Sequence, residues 1–205
     1  MSRHSHKCLF ALAAIMSSVI ALQSYAQSLS RVSPEKVEKI SASLDKSLLP
    51  EGAGEVKVEQ SQIVAASGMT FVPVRFQAED KSGGSSVIEG ESRKKFFCGL
   101  YQLTDQEPAK FLLAFGAGQT EAEECGGLQA IGAAEPHAVH GNLILIYSGS
   151  TLHDTMREPV ILSWDDAQKQ YRVNDALTEF VSTNSKKSYT IFNIRGLLAS
   201  RAGKP

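Results

Sequence analysis

No H-E-x-x-H pair, glycine-rich phosphate loop, dinucleotide fingerprint, calcium loop or G-x-S-x-G frame occurs in the 205 residues. The local patterns that hold a zinc ion, a nucleotide or calcium, or that expose an activated serine, are therefore missing. No asparagine sits in an N-x-[ST] acceptor, which argues against a glycosylated eukaryotic secretory protein. Cysteine is scarce, with three in the chain and no C-x-x-C spacing, so a redox-active pair is not expected. Charge of one sign is also lacking: 21 Lys and Arg stand against 22 Asp and Glu. Such a balance gives no electrostatic argument for nucleic acid or for an anionic membrane surface. No internal repeat and no domain linker interrupts the chain.

What is present begins with a leader. Residues 1–26 carry Arg3 and Lys7, then an apolar run from Cys8 to Leu22, then Ser24-Tyr25-Ala26. This is the order of a secretory signal, with cleavage expected after Ala26. The run is about 15 residues and contains Ser17 and Ser18, short of the roughly 20 that span a bilayer, so no stable membrane insertion is expected after cleavage. Cys8 lies within the run, in the wrong setting for a lipid-modified cysteine. The mature chain would keep Cys98 and Cys125, an even pair in an oxidising compartment, and a structural disulfide between them is expected. A periplasmic or secreted protein of a Gram-negative bacterium is the reading these features support.

The central stretch is Arg93 to Phe115, two apolar runs flanking the polar turn 105–108. It reads as the central hairpin of an antiparallel sheet, tied at one end by the disulfide. Upstream, residues 27–32 read as a flexible lead. Ser33-Pro34-Glu35 starts a helix, with Val37, Ile40, Leu44 and Leu48 on one face and Pro50 and Gly52 ending it. Val56 and Val58 open a strand, 65–68 is a turn, and Val72, Val74, Phe76 and Ala78 line one face of a second strand. Pro73 cannot donate to a ladder, which places that strand at an edge or a bulge. Residues 80–86 read as a loop and 87–91 as a short strand.

Beyond Phe115, residues 116–127 read as a long surface loop pinned by the crosslink, 128–131 as a brief strand and 132–141 as a second loop. Residues 142–147 read as an interior strand and 148–158 as a loop. Residues 159–173 read as a strand, polar turn and strand, with Trp164 and Tyr171 paired across the turn. A short helix over 175–181, capped by Asn174 or Asp175, a final strand over 189–194 and a disordered tail over 201–205 complete the chain. The expected fold is α+β: one antiparallel sheet of about six to eight strands, with the N-terminal helix on one face, in a single domain over 33–200.

Three groups are candidate sites. His137 and His140, at i and i+3, could share a metal with His153 or Asp154, but Gly141 and the following strand argue for turn histidines, and no metal or other cofactor is expected. Ser148-Gly149-Ser150 resembles a nucleophile elbow only loosely. Acidic Glu121, Glu123 and Glu124 and basic Arg93, Lys94 and Lys95 flank the two cysteines and could form the polar rim of a protein-binding surface. A loop held by a crosslink loses less entropy on binding, which suits an inhibitor. Small exported inhibitors of hydrolases share this size, leader and single disulfide, an analogy of class that carries no residues. The expected function is a non-enzymatic binding or inhibitory protein of the periplasm, its partner another envelope protein. The alternatives are a metal-dependent hydrolase using His137 and His140, and a structural envelope component.

Overall fold

Alternation along residues 69–79 commits the two faces of one strand to two different cores, and that division organises the molecule. The computed structural model describes residues 29–79, 94–116, 124–151, 154–185 and 189–203. The leader, the 80–86 loop and the 87–91 strand lie outside the described residues.

Ten strands are described: β1 (Ser30–Arg31), β2 (Val56–Val58), β3 (Val64–Ala66), β4 (Met69–Glu79), β5 (Lys94–Thr104), β6 (Lys110–Phe115), β7 (Glu124–Ala133), β8 (Leu143–Ser150), β9 (Thr155–Asp165) and β10 (Gln170–Val173). The helices are α1 (Pro34–Ser43), α2 (Asp175–Asn184) and α3 (Ile191–Ala202). Among the described residues the strands form two antiparallel sheets rather than the one expected. A six-stranded sheet runs β1-β3-β4-β5-β6, with β2 also on β4, and a four-stranded sheet runs β10-β9-β8-β7.

The second sheet arises because two strands are apolar on both faces. In β5, Cys98 and Leu100 share a core with Leu128, Leu145, Tyr147, Val160 and Leu162 of the second sheet. Its other face supplies Phe97 and Tyr101, buried with Val37 and Ile40 of α1 and with Val72, Val74 and Phe76 of β4. In β8, Leu143, Leu145 and Tyr147 join the inter-sheet core, whereas Ile144 and Ile146 pack with Val181 of α2 and with Ile194 and Leu198 of α3. The layers thus run helix, sheet, sheet, helices, and an apolar face was the signature of a neighbouring sheet as much as of a helix.

Several local expectations change. Ser30 and Arg31, within the expected lead, pair with Ala65 and Val64. The first helix stops at Ser43 because Asp45 accepts the amide of Ser47 (2.9 Å) and starts a separate 3-10 turn, Lys46–Leu48. β4 is interior, yet Pro73 sits where its neighbour changes from β2 to β3. The Pro73 carbonyl accepts from Glu59 (2.9 Å), and a 3-10 turn over Gln60–Gln62 covers the place of the missing donor. Ser67 and Gly68, both at positive φ (53° and 73°), form the two-residue turn joining β3 to β4.

In the second half, the expected loop over 116–127 is strand from Glu124 onward, and the expected loop over 148–158 is occupied by the ends of β8 and β9. The expected strand over 189–194 is the start of α3. Thr190 caps it by accepting the Asn193 amide (3.2 Å), and the helix continues through Arg201 of the expected tail to Ala202. The Trp164–Tyr171 hairpin is as expected: the two residues are directly opposite, their ring centres 5.3 Å apart.

Candidate binding site

Cys98 of β5 and Cys125 of β7 are disulfide-bonded, their Cα atoms 5.9 Å apart. The bond does not close a hairpin. It clasps one sheet to the other, and in doing so it defines an end of the sandwich. β4 finishes there at Glu79 opposite Lys94, β6 finishes at Phe115 opposite Cys98, and Glu124, Ser150 and Thr155 lie side by side in the second sheet.

Irregular strand geometry shapes this end. A bulge shifts the β5–β6 register between Cys98 and Gly99 and turns Phe115 inward, where it stacks on Tyr147 at 5.4 Å. Gly99 has no side chain because a Cβ there would lie 2.2 Å from the Phe111 ring. Two bulges in β7, between Cys125 and Gly127 and between Leu128 and Ala130, bring Cys125, Leu128 and Ile131 to the inter-sheet core at intervals of three. Gly127, at φ +122°, supplies the backbone that the first bulge needs.

Of the charged residues expected here, Lys94 and Lys95 open β5 and Glu124 opens β7, so the crosslink places the starts of both strands at the same end. Lys95 is 9 % exposed, with its ammonium 5.1 Å from the Phe97 ring centre. Arg93, Glu121 and Glu123 lie outside the described residues. Sequence reading missed Arg75, which β4 directs between the sheets. Its Nη1 donates to the Gly126 carbonyl (3.2 Å) and its guanidinium lies 4.4 Å from the Phe96 ring centre. An arginine in register with Cys98 on the core-facing side of an alternating strand was the available signal. Arg75 Nε and the Tyr147 hydroxyl are buried without a hydrogen-bond partner among the described residues. Burial pushes the Tyr147 phenol well above its ordinary range.

Beside this end lies a cleft of about 910 Å³, between the last residues of β6, the first half of β9, and α2. One wall is apolar, with Leu113, Phe115 and Met156, and the other is the polar stripe Asp175, Thr178, Glu179 and Ser182 of α2. That volume is in the range of ligand sites.

His137 and His140 lie exposed on the turn between β7 and β8, not on a helix. His140 stacks on Trp164, ring centres 4.1 Å apart and planes 7° from parallel, at the end of the sandwich opposite the disulfide. His153 lies outside the described residues, and among those described no three His, Cys, Asp or Glu side chains form a metal-binding group. Ser148 and Ser150 are in β8, with the Ser148 hydroxyl 3.4 Å from the Gly127 carbonyl to which it donates, so the loose elbow pattern is ordinary strand. Compared with protein-family models, curated proteins and solved structures, the chain matches none.

Proposed function

We propose that this chain is an exported, non-enzymatic binding protein of the bacterial envelope, with the clasped end of its sandwich as the binding face. The observation that carries the reading is the Cys98–Cys125 disulfide, a bond that persists in an oxidising compartment and is rare in the reducing cytosol. It agrees with the signal-like residues 1–26. The bond also holds the start of β5 beside the start of β7, and in the sequence Arg93, Lys94 and Lys95 precede Cys98 while Glu121, Glu123 and Glu124 precede Cys125. A preorganised face of this kind loses less entropy on association than a free loop. The partner we propose is another envelope protein, and inhibition is one form such binding takes.

Affinity capture from envelope extract, with the full chain exported and its thiols assayed by mass spectrometry, tests the reading. Expected are an oxidised cysteine pair, a leader removed after Ala26, and a partner lost when Glu121, Glu123 and Glu124 are replaced by alanine. Free thiols in protein isolated from cells, or a chain that emerges alone with no phenotype for the triple variant, would overturn it.

A further inference from the structure

β9 is long and its neighbour β10 is short. Val173, the last residue of β10, pairs with Leu162, and the chain then turns into α2. The outward ladder ends one step later, where Asn174 N–H donates to the Ile161 carbonyl (2.8 Å) and Ile161 N–H donates to the Thr178 hydroxyl (3.0 Å). The pairing of β9 with β8 is regular throughout, so backbone groups alternate edges from this point. The N–H and C=O of Arg157 and the C=O of Pro159 therefore face the same side as those of Ile161, away from β8 and along the cleft. Pro159, itself buried, is tolerated there because no described strand pairs with that side of β9 beyond Leu162, so its missing N–H breaks no described ladder.

We propose that this edge receives an extended segment of a partner protein as an added strand, and that the segment alternates basic and apolar residues. The inference rests on the binding-protein reading and adds where the partner sits and what it looks like. A strand laid beside β9 has its side chains pointing alternately to the two faces of the sheet. One set meets Leu113 and Phe115 of β6, and the other meets the α2 stripe that holds Asp175 and Glu179. Among the described residues, the α2 wall presents Asp175 and Glu179 with no cation of its own, so lysine and arginine are favoured on the α2 side and carboxylates are disfavoured. Main-chain bonds to Arg157 and Pro159 would hold the segment in register, and the two unlike walls would select its sequence.

The test uses the full chain and an eight-residue peptide alternating lysine and valine, followed by fluorescence anisotropy and by hydrogen exchange at the Arg157 amide. Expected are saturable binding, slowed exchange at Arg157, and at least a tenfold loss of affinity in each of three changes: glutamate for lysine in the peptide, N-methylation of its backbone, and Glu179→Lys in the protein. Glu179 is exposed on α2, so that variant is expected to keep the melting temperature of the parent. Arg157→Pro removes the edge donor without touching the β8 ladder and should weaken binding similarly. Equal affinity for the N-methylated peptide, equal affinity for the acidic peptide, or unaltered exchange at Arg157 would each overturn the proposal. A captured envelope partner that crosslinks only away from the cleft would also sink this inference while leaving the binding-protein reading intact. An absent partner would instead remove that reading.

Discussion

Gln102 is a polar side chain only 2 % exposed between two sheets, and it is there to act as a strand. Its Nε2 donates to the Tyr171 carbonyl (2.9 Å) and its Oε1 accepts the Tyr171 amide (2.7 Å), so one amide side chain completes the free edge of β10. Gln102→Leu keeps the volume but orphans a buried donor and acceptor, and should cost about 2–4 kcal/mol, lowering Tm by roughly 5–15 °C. The opposite sign is expected at Tyr147. Its hydroxyl makes no bond among the described residues, so Tyr147→Phe should raise stability by about 1 kcal/mol in denaturant unfolding. Tyr171 gives a pH dependence. Burial, and secondarily the Glu135 carboxylate, push its phenol from 10.0 up to about 12. Below pH 10 it is neutral in the folded and unfolded chain alike, and its stabilisation is complete. Above that the unfolded phenol ionises first, so stability should fall from pH 10 to about 12, with a shallower fall in Tyr171→Phe when the denaturation midpoint is followed against pH.

At the scale of elements, legibility followed regularity. The alternation of β4 and β5 and the Trp164–Tyr171 hairpin could be read because their side chains keep period two against a regular partner. β7 could not. Its bulges space Cys125, Leu128 and Ile131 by three, which breaks the strand's period of two, and the glycines that permit the bulges look like loop. The α3 segment was misread for a related reason. Tyr189 and Ile191 alternate with polar neighbours like a strand, while the helix is set by the Thr190 cap and by Ile194 and Leu198 one turn apart. The crosslink was legible as a pairing but not as a link between layers, since nothing local says which sheet a cysteine faces. Its loop of about 28 residues should contribute about 3–4 kcal/mol, so a Cys98→Ala, Cys125→Ala variant should unfold at lower denaturant by that amount, and reduction of the parent should match it.

For the molecule as a whole, the fold class could be anticipated from composition and patterning, but the second sheet could not. Apolar residues on both faces of a strand require two covering layers without naming them. The cleft was invisible for a further reason. It exists because β10 is shorter than β9, and the length of one strand relative to its neighbour is a tertiary fact. The charged residues near the cysteines are neighbours in the sequence, whereas Arg157 and Glu179 are 22 positions apart and meet only because β9 and α2 line one cleft.

Every described strand of the larger sheet precedes residue 117 and every described strand of the smaller one follows residue 123, so the described parts of the two slabs are encoded one after the other. A protease site engineered into that junction would therefore divide the polypeptide into two self-paired halves still joined through sulfur. They would run as one band on a gel without reductant and as two with it, and the halves, produced separately and mixed under oxidising conditions, are expected to find each other and seal.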